Sequence, residues 1–193
     1  RLSLVGSEMC IRDSRSTWDN PFRDVAPGAW YEEAVQHVYE AGLMQGTSAS
    51  AFSPGRTTTR GQIVTILHRL EGSPRAGRPP FTDVAAGSYC AEAVAWAEQN
   101  AIVRGFGDGT FRPDRPITRQ QLAAILLRYM EHRGEGTAGR ADLSRFSDSA
   151  AVADYAREAM AWAVSAGLLQ GRANGTLDPA GSATRAQTAV ILH

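Results

Sequence analysis

Apolar residues recur along the chain in three stretches, and the same polar signature precedes each one. Ile63, Ile66, Leu67 and Leu70 lie at i, i+3, i+4 and i+7, a spacing that puts four side chains on one helix face. Leu122, Ile125, Leu126 and Tyr129 repeat the spacing, and Ile191 and Leu192 occupy matching places in a third stretch. Thr59-Arg60-Gly61-Gln62, Thr118-Arg119-Gln120-Gln121 and Thr184-Arg185-Ala186-Gln187 stand at their starts. Upstream of each lies an alanine-rich amphipathic stretch, with Ala34, Ala93 or Ala159 at equivalent positions and Trp30, Tyr89 or Tyr155 near its opening. The pattern predicts helix, loop, helix, three times over. The first helix of each copy runs from about Tyr31, Tyr89 or Tyr155 toward a glycine-ended apolar segment, and the second begins at the Thr-Arg pair.

The repeat extends well beyond hydropathy. Phe22-Arg23-Asp24-Val25 returns as Phe81-Thr82-Asp83-Val84 and as Phe146-Ser147-Asp148-Ser149. The apolar segments are Gly42-Leu43-Met44-Gln45-Gly46, Ala101-Ile102-Val103-Arg104-Gly105 and Gly167-Leu168-Leu169-Gln170-Gly171, and a proline follows each loop at Pro54, Pro113 or Pro179. Asp108-Gly109 and Asn174-Gly175 are turn signals in the second and third loops, whereas copy one has Ser50-Ala51 there. One such unit cannot bury its apolar stripe alone, but three can share a core. The expected fold is therefore all-α, three helix-loop-helix repeats forming a pseudo-threefold bundle. The copies span 18–74, 75–138 and 139–193, the last read as C-terminally truncated, with linkers rich in Gly, Arg, Pro and Ser between them. Residues 1–17 fall outside the pattern and are read as a non-native-looking or disordered leader.

Thr59, Thr118 and Thr184, each followed three residues later by Gln62, Gln121 or Gln187, form the capping-box signature. The threonine hydroxyl takes the third helical amide and the glutamine reaches back to the capping residue. The arginine between them has no such local reason. Arg60, Arg119 and Arg185 occupy the first helical position, where the helix dipole disfavours a cation by roughly 0.3–1 kcal/mol. Two explanations compete: a nearby carboxylate such as Asp24, Asp83 or Asp148, or an external anion that suits both guanidinium and helix amides. Trp96 and Trp162, with His37 in copy one, fit packing positions within the first helices.

Composition narrows the function. The 193 residues are 43% hydrophobic and 21% charged with zero formal net charge, so nothing favours a nucleic-acid partner. All 20 basic residues are arginine. Cys10 and Cys90 have no metal-ligand spacing, no apolar run is long enough to span a membrane, and no zinc cluster, nucleophile elbow or phosphate loop is present. Gly107-Asp108-Gly109 lacks the alternating oxygen ligands of a calcium loop. No enzyme activity, cofactor or metal is expected. The spacing between copies is longer than the roughly 34 residues of tetratricopeptide arrays, although a helical scaffold for protein partners remains the alternative, as does the anchor segment of a larger surface enzyme.

The opening Phe-x-Asp-Val, the central Gly-x-x-Asp-Gly-Thr-Phe-x-Pro at Gly105 to Pro113 and the closing Thr-Arg-x-Gln resemble the S-layer homology family, over roughly Pro21 to His193. The resemblance implies a secreted bacterial module at the cell wall or cell surface, binding pyruvylated secondary cell-wall polysaccharide in grooves between repeats. It implies that Arg60, Arg119 and Arg185 meet the pyruvyl carboxylate, and it tips the balance toward the external anion for at least some of them. It also places Gly105, Asp108, Gly109, Gly171 and Gly175 near ligand, with Trp30, Tyr89 and Tyr155 as groove aromatics. The family's closing motif often ends in Glu. Gln62, Gln121 and Gln187 depart from it and remove a negative charge beside the anion.

Overall fold

The computed structural model describes residues 18–193, so the leader and Cys10 lie outside the described residues. Among the described residues six α-helices follow in order: α1 Glu32–Glu40, α2 Arg60–Leu70, α3 Ala91–Gln99, α4 Arg119–His132, α5 Asp154–Ser165 and α6 Arg185–Leu192. The chain is all-α, with three helix-loop-helix copies. Helices α2, α4 and α6 start where the Thr-Arg pairs predict. Each has a complete capping box, with Thr59, Thr118 or Thr184 accepting the amide of Gln62, Gln121 or Gln187, whose side chain returns to the threonine amide. Each cap is worth about 1 kcal/mol.

The chain divides into two compact units. One holds the residues through Arg56 together with Thr184–His193, and the other holds Thr57–Ala183. In the first, α1 packs on α6; in the second, α2 packs on α3 and α4 on α5. The main helix pairs therefore join the second helix of one copy to the first helix of the next, and α6 to α1. Antiparallel neighbours in a bundle are usually joined by about 2–8 residues. The stretch from Ala41 to Thr59 is much longer, which frees the two helices of one copy to pair elsewhere.

Trp96 and Trp162 are buried, in keeping with packing roles, as are Tyr129, Phe111, Ile117 and Leu122 of the same unit. In the first unit, His37 meets His193 edge-on, with ring centroids 5.3 Å apart. Within the second unit the backbone closes a three-membered ring. Thr58 N–H donates to Ala183, Ile117 N–H to Thr58, and Ala183 N–H to Ile117, at 2.9, 2.9 and 3.1 Å. Each of the three residues directly precedes a helix-capping threonine and is buried.

The loops are built from the repeat motifs. The ring of Phe22, Phe81 or Phe146 lies against Gly46, Gly105 or Gly171 so closely that a Cβ at the glycine would overlap it. The aspartate after each phenylalanine binds two successive amides of its own loop. Asp24 accepts from Phe52 and Ser53, Asp83 from Phe111 and Arg112, and Asp148 from Leu177 and Asp178, all at 2.7–2.8 Å. Ser53, Arg112 and Asp178 have φ of 58°, 59° and 51°, in the left-handed region that non-glycine residues avoid. The carboxylate stabilises this strained residue just before the proline. Copy one manages without the Asp-Gly turn: the Ser50 carbonyl accepts Arg23 N–H, as those of Gly109 and Gly175 accept Thr82 and Ser147.

Candidate functional site

The three closing arginines are almost completely buried, at 5%, 5% and 6% exposure for Arg60, Arg119 and Arg185. Each sends its Nε to a carbonyl in another copy's loop. Arg60 donates to Phe111 at 2.9 Å, Arg119 to Leu177 at 2.8 Å and Arg185 to Phe52 at 2.8 Å. Their hydrogen bonds thus run to backbone carbonyls, an outcome neither sequence explanation anticipated. The acceptor residue is the one whose amide the loop aspartate holds.

Beyond that shared bond the arginines differ. Arg119 gives a terminal nitrogen to the Gln170 carbonyl at 2.7 Å, and Arg185 gives one to Gln45 at 2.5 Å. The corresponding position in copy two is Arg104. Arg60 makes no terminal hydrogen bond among the described residues; its guanidinium lies 4.6 Å from the Phe111 ring centroid and 4.9 Å from that of Phe106. Burial, the largest influence, pushes its pKa down to about 10, with Arg112 and Arg115 adding to the fall. It remains a cation at neutral pH, and it is a poorly solvated one.

Arg60 lines a cavity of about 360 Å³ within the second unit. The Val103 to Gly107 segment forms one wall and Gln121, Ala124, Ile125 and Arg128 of α4 another, while Tyr155 stands at the side. The cavity adjoins a smaller recess, about 170 Å³, that shares Ala124, Arg128 and Tyr155 and adds Glu131 and Glu158. Burial also lowers the pKa of Arg128, and the charge of Arg104 lowers it further. Burial raises the Tyr155 pKa while Arg60 and Arg128 pull it down. Tyr155 thus lines, with a neutral hydroxyl, the cavity that Arg60 and Arg128 also line. The arrangement suits an anion carried on a sugar-sized body: charge-assisted donors at one end and an aromatic face at the side.

Of the residues expected at a groove, Arg60, Gly105 and Tyr155 come together here. Trp30, Tyr89 and Tyr155 are 68%, 59% and 55% exposed, unlike the buried core aromatics. The Tyr89 hydroxyl lies 3.4 Å from that of Thr59, and a side chain at Gly61 would collide with it. Asp108 and Gly109 form the loop tip outside the cavity lining. The Asp108 carboxylate accepts from Thr110 and Arg112, which hold its pKa down at about 2. Gly171 packs under Phe146, and Gly175 has φ of 76° in its turn. Arg104, Phe106 and Arg128 were not anticipated. The available signal was Arg104 itself, standing where the other copies have Gln45 and Gln170.

Among the described residues no group of three or more His, Cys, Asp or Glu side chains is placed to hold a metal, and no helix is long and apolar enough to cross a membrane. The S-layer homology domain family matches residues 21–64, 80–123 and 145–189. Similar proteins include a surface-layer 125 kDa protein of Lysinibacillus sphaericus, 33% identical over 89% of this chain and 14% of the relative. An endoglucanase of Bacillus sp. (strain KSM-635) is 30% identical over 89% of this chain and 18% of its own length. An amylopullulanase of Thermoanaerobacterium thermosulfurigenes is 28% identical over 91% of this chain and 9% of its own. The chain thus spans less than a fifth of each of these relatives.

Proposed function

The chain belongs to the S-layer homology domain family, and from that premise we propose that it is a non-catalytic module holding a larger surface protein to an anionic, pyruvylated cell-wall polysaccharide. It acts at the cell surface, where its relatives include S-layer proteins. The observation that carries the reading is the Arg60 cavity: a buried guanidinium with free terminal nitrogens, flanked by an exposed tyrosine and further arginines. A carboxylate entering it gains charge-assisted hydrogen bonds that water supplies poorly at a buried cation. The tyrosine face accommodates the sugar ring. The cargo is a surface-layer protein or a polysaccharide-degrading enzyme, as among the relatives.

Individual sites of this kind bind weakly, and a polymer offers many units to one protein. Retention then depends on repeated rebinding at high effective concentration. Sedimentation with purified cell walls, before and after chemical removal of pyruvate, is the test. Native walls should retain the chain and depyruvylated walls should release most of it. Equal retention by both would show that the pyruvyl carboxylate is not the group recognised.

A further inference from the structure

We propose that the Arg60 cavity selects a polymer unit carrying two negative charges, with Arg104 and Arg128 receiving the second. This rests on the anchoring reading and deepens it by naming the charge of the unit bound. Three guanidinium groups, Arg60, Arg104 and Arg128, line one cavity. Among the described residues, none of the side chains lining it is a carboxylate, and neither Arg104 nor Arg128 has an ion-pair partner within 4.0 Å. A single carboxylate on Arg60 leaves two like charges facing each other across a partly enclosed space. A dianion relieves that repulsion and neutralises most of the formal charge.

The carboxylates nearest Arg128, Glu131 and Glu158, line the adjoining recess and not the cavity itself. Gln121, which lines the same cavity, stands where the family often has Glu, so the cavity's one capping side chain is neutral. Arg104 is peculiar to copy two. In the other copies Gln45 and Gln170 fill that place, and there the closing arginine turns inward to their carbonyls. Free terminal nitrogens on Arg60 and the extra arginine at position 104 therefore occur in the same copy-to-copy junction. Two sources supply the chemistry: a phosphate monoester, with both charges on one group, or two carboxylates on neighbouring sugars.

The experiment is titration calorimetry of the whole chain at pH 7.5 with three probes. These are the 4,6-pyruvate ketal of N-acetylmannosamine, N-acetylmannosamine 6-phosphate, and a disaccharide of glucuronic acid and a pyruvylated hexosamine. At least one dianion should bind about tenfold or more tightly than the monoanion, and the tighter one identifies the source. Arg104→Gln and Arg128→Gln should bring that ratio close to unity by weakening the dianion more than the monoanion, with melting temperatures preserved. For the phosphate the preference should fade at pH 5, below its second pKa of roughly 6. Equal affinity for all three probes, no measurable binding of any of them, or a preference unchanged by both substitutions would overturn the inference. Wall sedimentation run on the same protein keeps the two readings apart: retention on walls without a dianion preference leaves the anchoring role standing, and a dianion preference without wall retention removes the anchoring role alone.

Discussion

Arg60 and Asp83 grip the same residue from opposite sides: the guanidinium Nε takes the Phe111 carbonyl at 2.9 Å and the carboxylate takes the Phe111 amide at 2.7 Å. The pairing recurs as Arg119 with Asp148 on Leu177, and as Arg185 with Asp24 on Phe52. In each case the aspartate comes from the copy that owns the loop and the arginine from another copy. The opposite charges thus cooperate through a peptide unit. Asp83 also holds the amide of Arg112, whose φ is positive. Asp83→Ala should lower unfolding free energy by about 2–3 kcal/mol in urea denaturation followed by tryptophan fluorescence. Asp83→Asn keeps one acceptor oxygen but turns an NH2 donor toward the other amide, so it should recover only part of that loss. A loss under about 0.5 kcal/mol for Asp83→Ala would mean that the hydrogen bonds contribute little.

Arg119 and Arg60 differ in their hydrogen bonds, and the proposed function predicts that structure and binding divide between them. Arg119 donates to two carbonyls, while Arg60 donates to one and leaves its terminal nitrogens in the cavity. Arg119→Gln strands both carbonyls and should destabilise by about 2–3 kcal/mol. Arg60→Gln should cost less stability and more wall affinity. The paired measurement is thermal unfolding beside wall sedimentation, and the reverse ranking in both would exclude this division of labour.

Gln121→Glu restores the residue common in the family. A glutamate caps as well as a glutamine, so the melting temperature should move by no more than a few degrees. Its carboxylate would stand in a cavity lined by Arg60, Arg104 and Arg128 and compete with the incoming anion. We expect anion affinity to fall about fivefold to tenfold in calorimetry. Unchanged affinity would place the anion away from the cap.

Tyr129 gives an alkaline signature. It is fully buried and donates to Glu71 at 2.7 Å, and burial together with that hydrogen bond pushes its pKa up to about 12. In the unfolded chain a tyrosine loses its proton near pH 10. Its contribution is fully present below about pH 10 and declines as pH rises toward 12, because the unfolded state sheds the proton first. Urea midpoints measured from pH 8 to 12 should fall through that window with a slope of at most about 1.4 kcal/mol per pH unit from this group. Tyr129→Phe should have a lower midpoint at pH 8 and a shallower decline. Parallel curves for the two proteins would assign the alkaline loss to other groups.

The helices were legible in the chain because their signals are local. A capping threonine, a glutamine three residues on and apolar residues at i, i+3, i+4 lie within one or two turns, and each second helix begins where they place it. Arg60, Gly105 and Tyr155, which line one cavity, were candidates in the chain through the repeat and the family resemblance. Arg104 and Arg128 were not, because nothing nearby in sequence shows that they line one cavity with a residue from another copy.

What the sequence by itself determined, then, is the threefold repetition, the starts of the second helices and the family. Tertiary structure alone decided the partners. Long loops impose little on which helix meets which, so the pairing of α2 with α3, α4 with α5 and α6 with α1 follows from packing across copies. The arginine at the positive end of each helix shows the same division. Its repetition was visible in the chain, but its hydrogen-bond acceptor is a distant backbone carbonyl, and a carbonyl carries no residue-type signal. Only the fold shows that two of the three arginines use a terminal nitrogen on a second carbonyl, while Arg60 makes no such bond among the described residues.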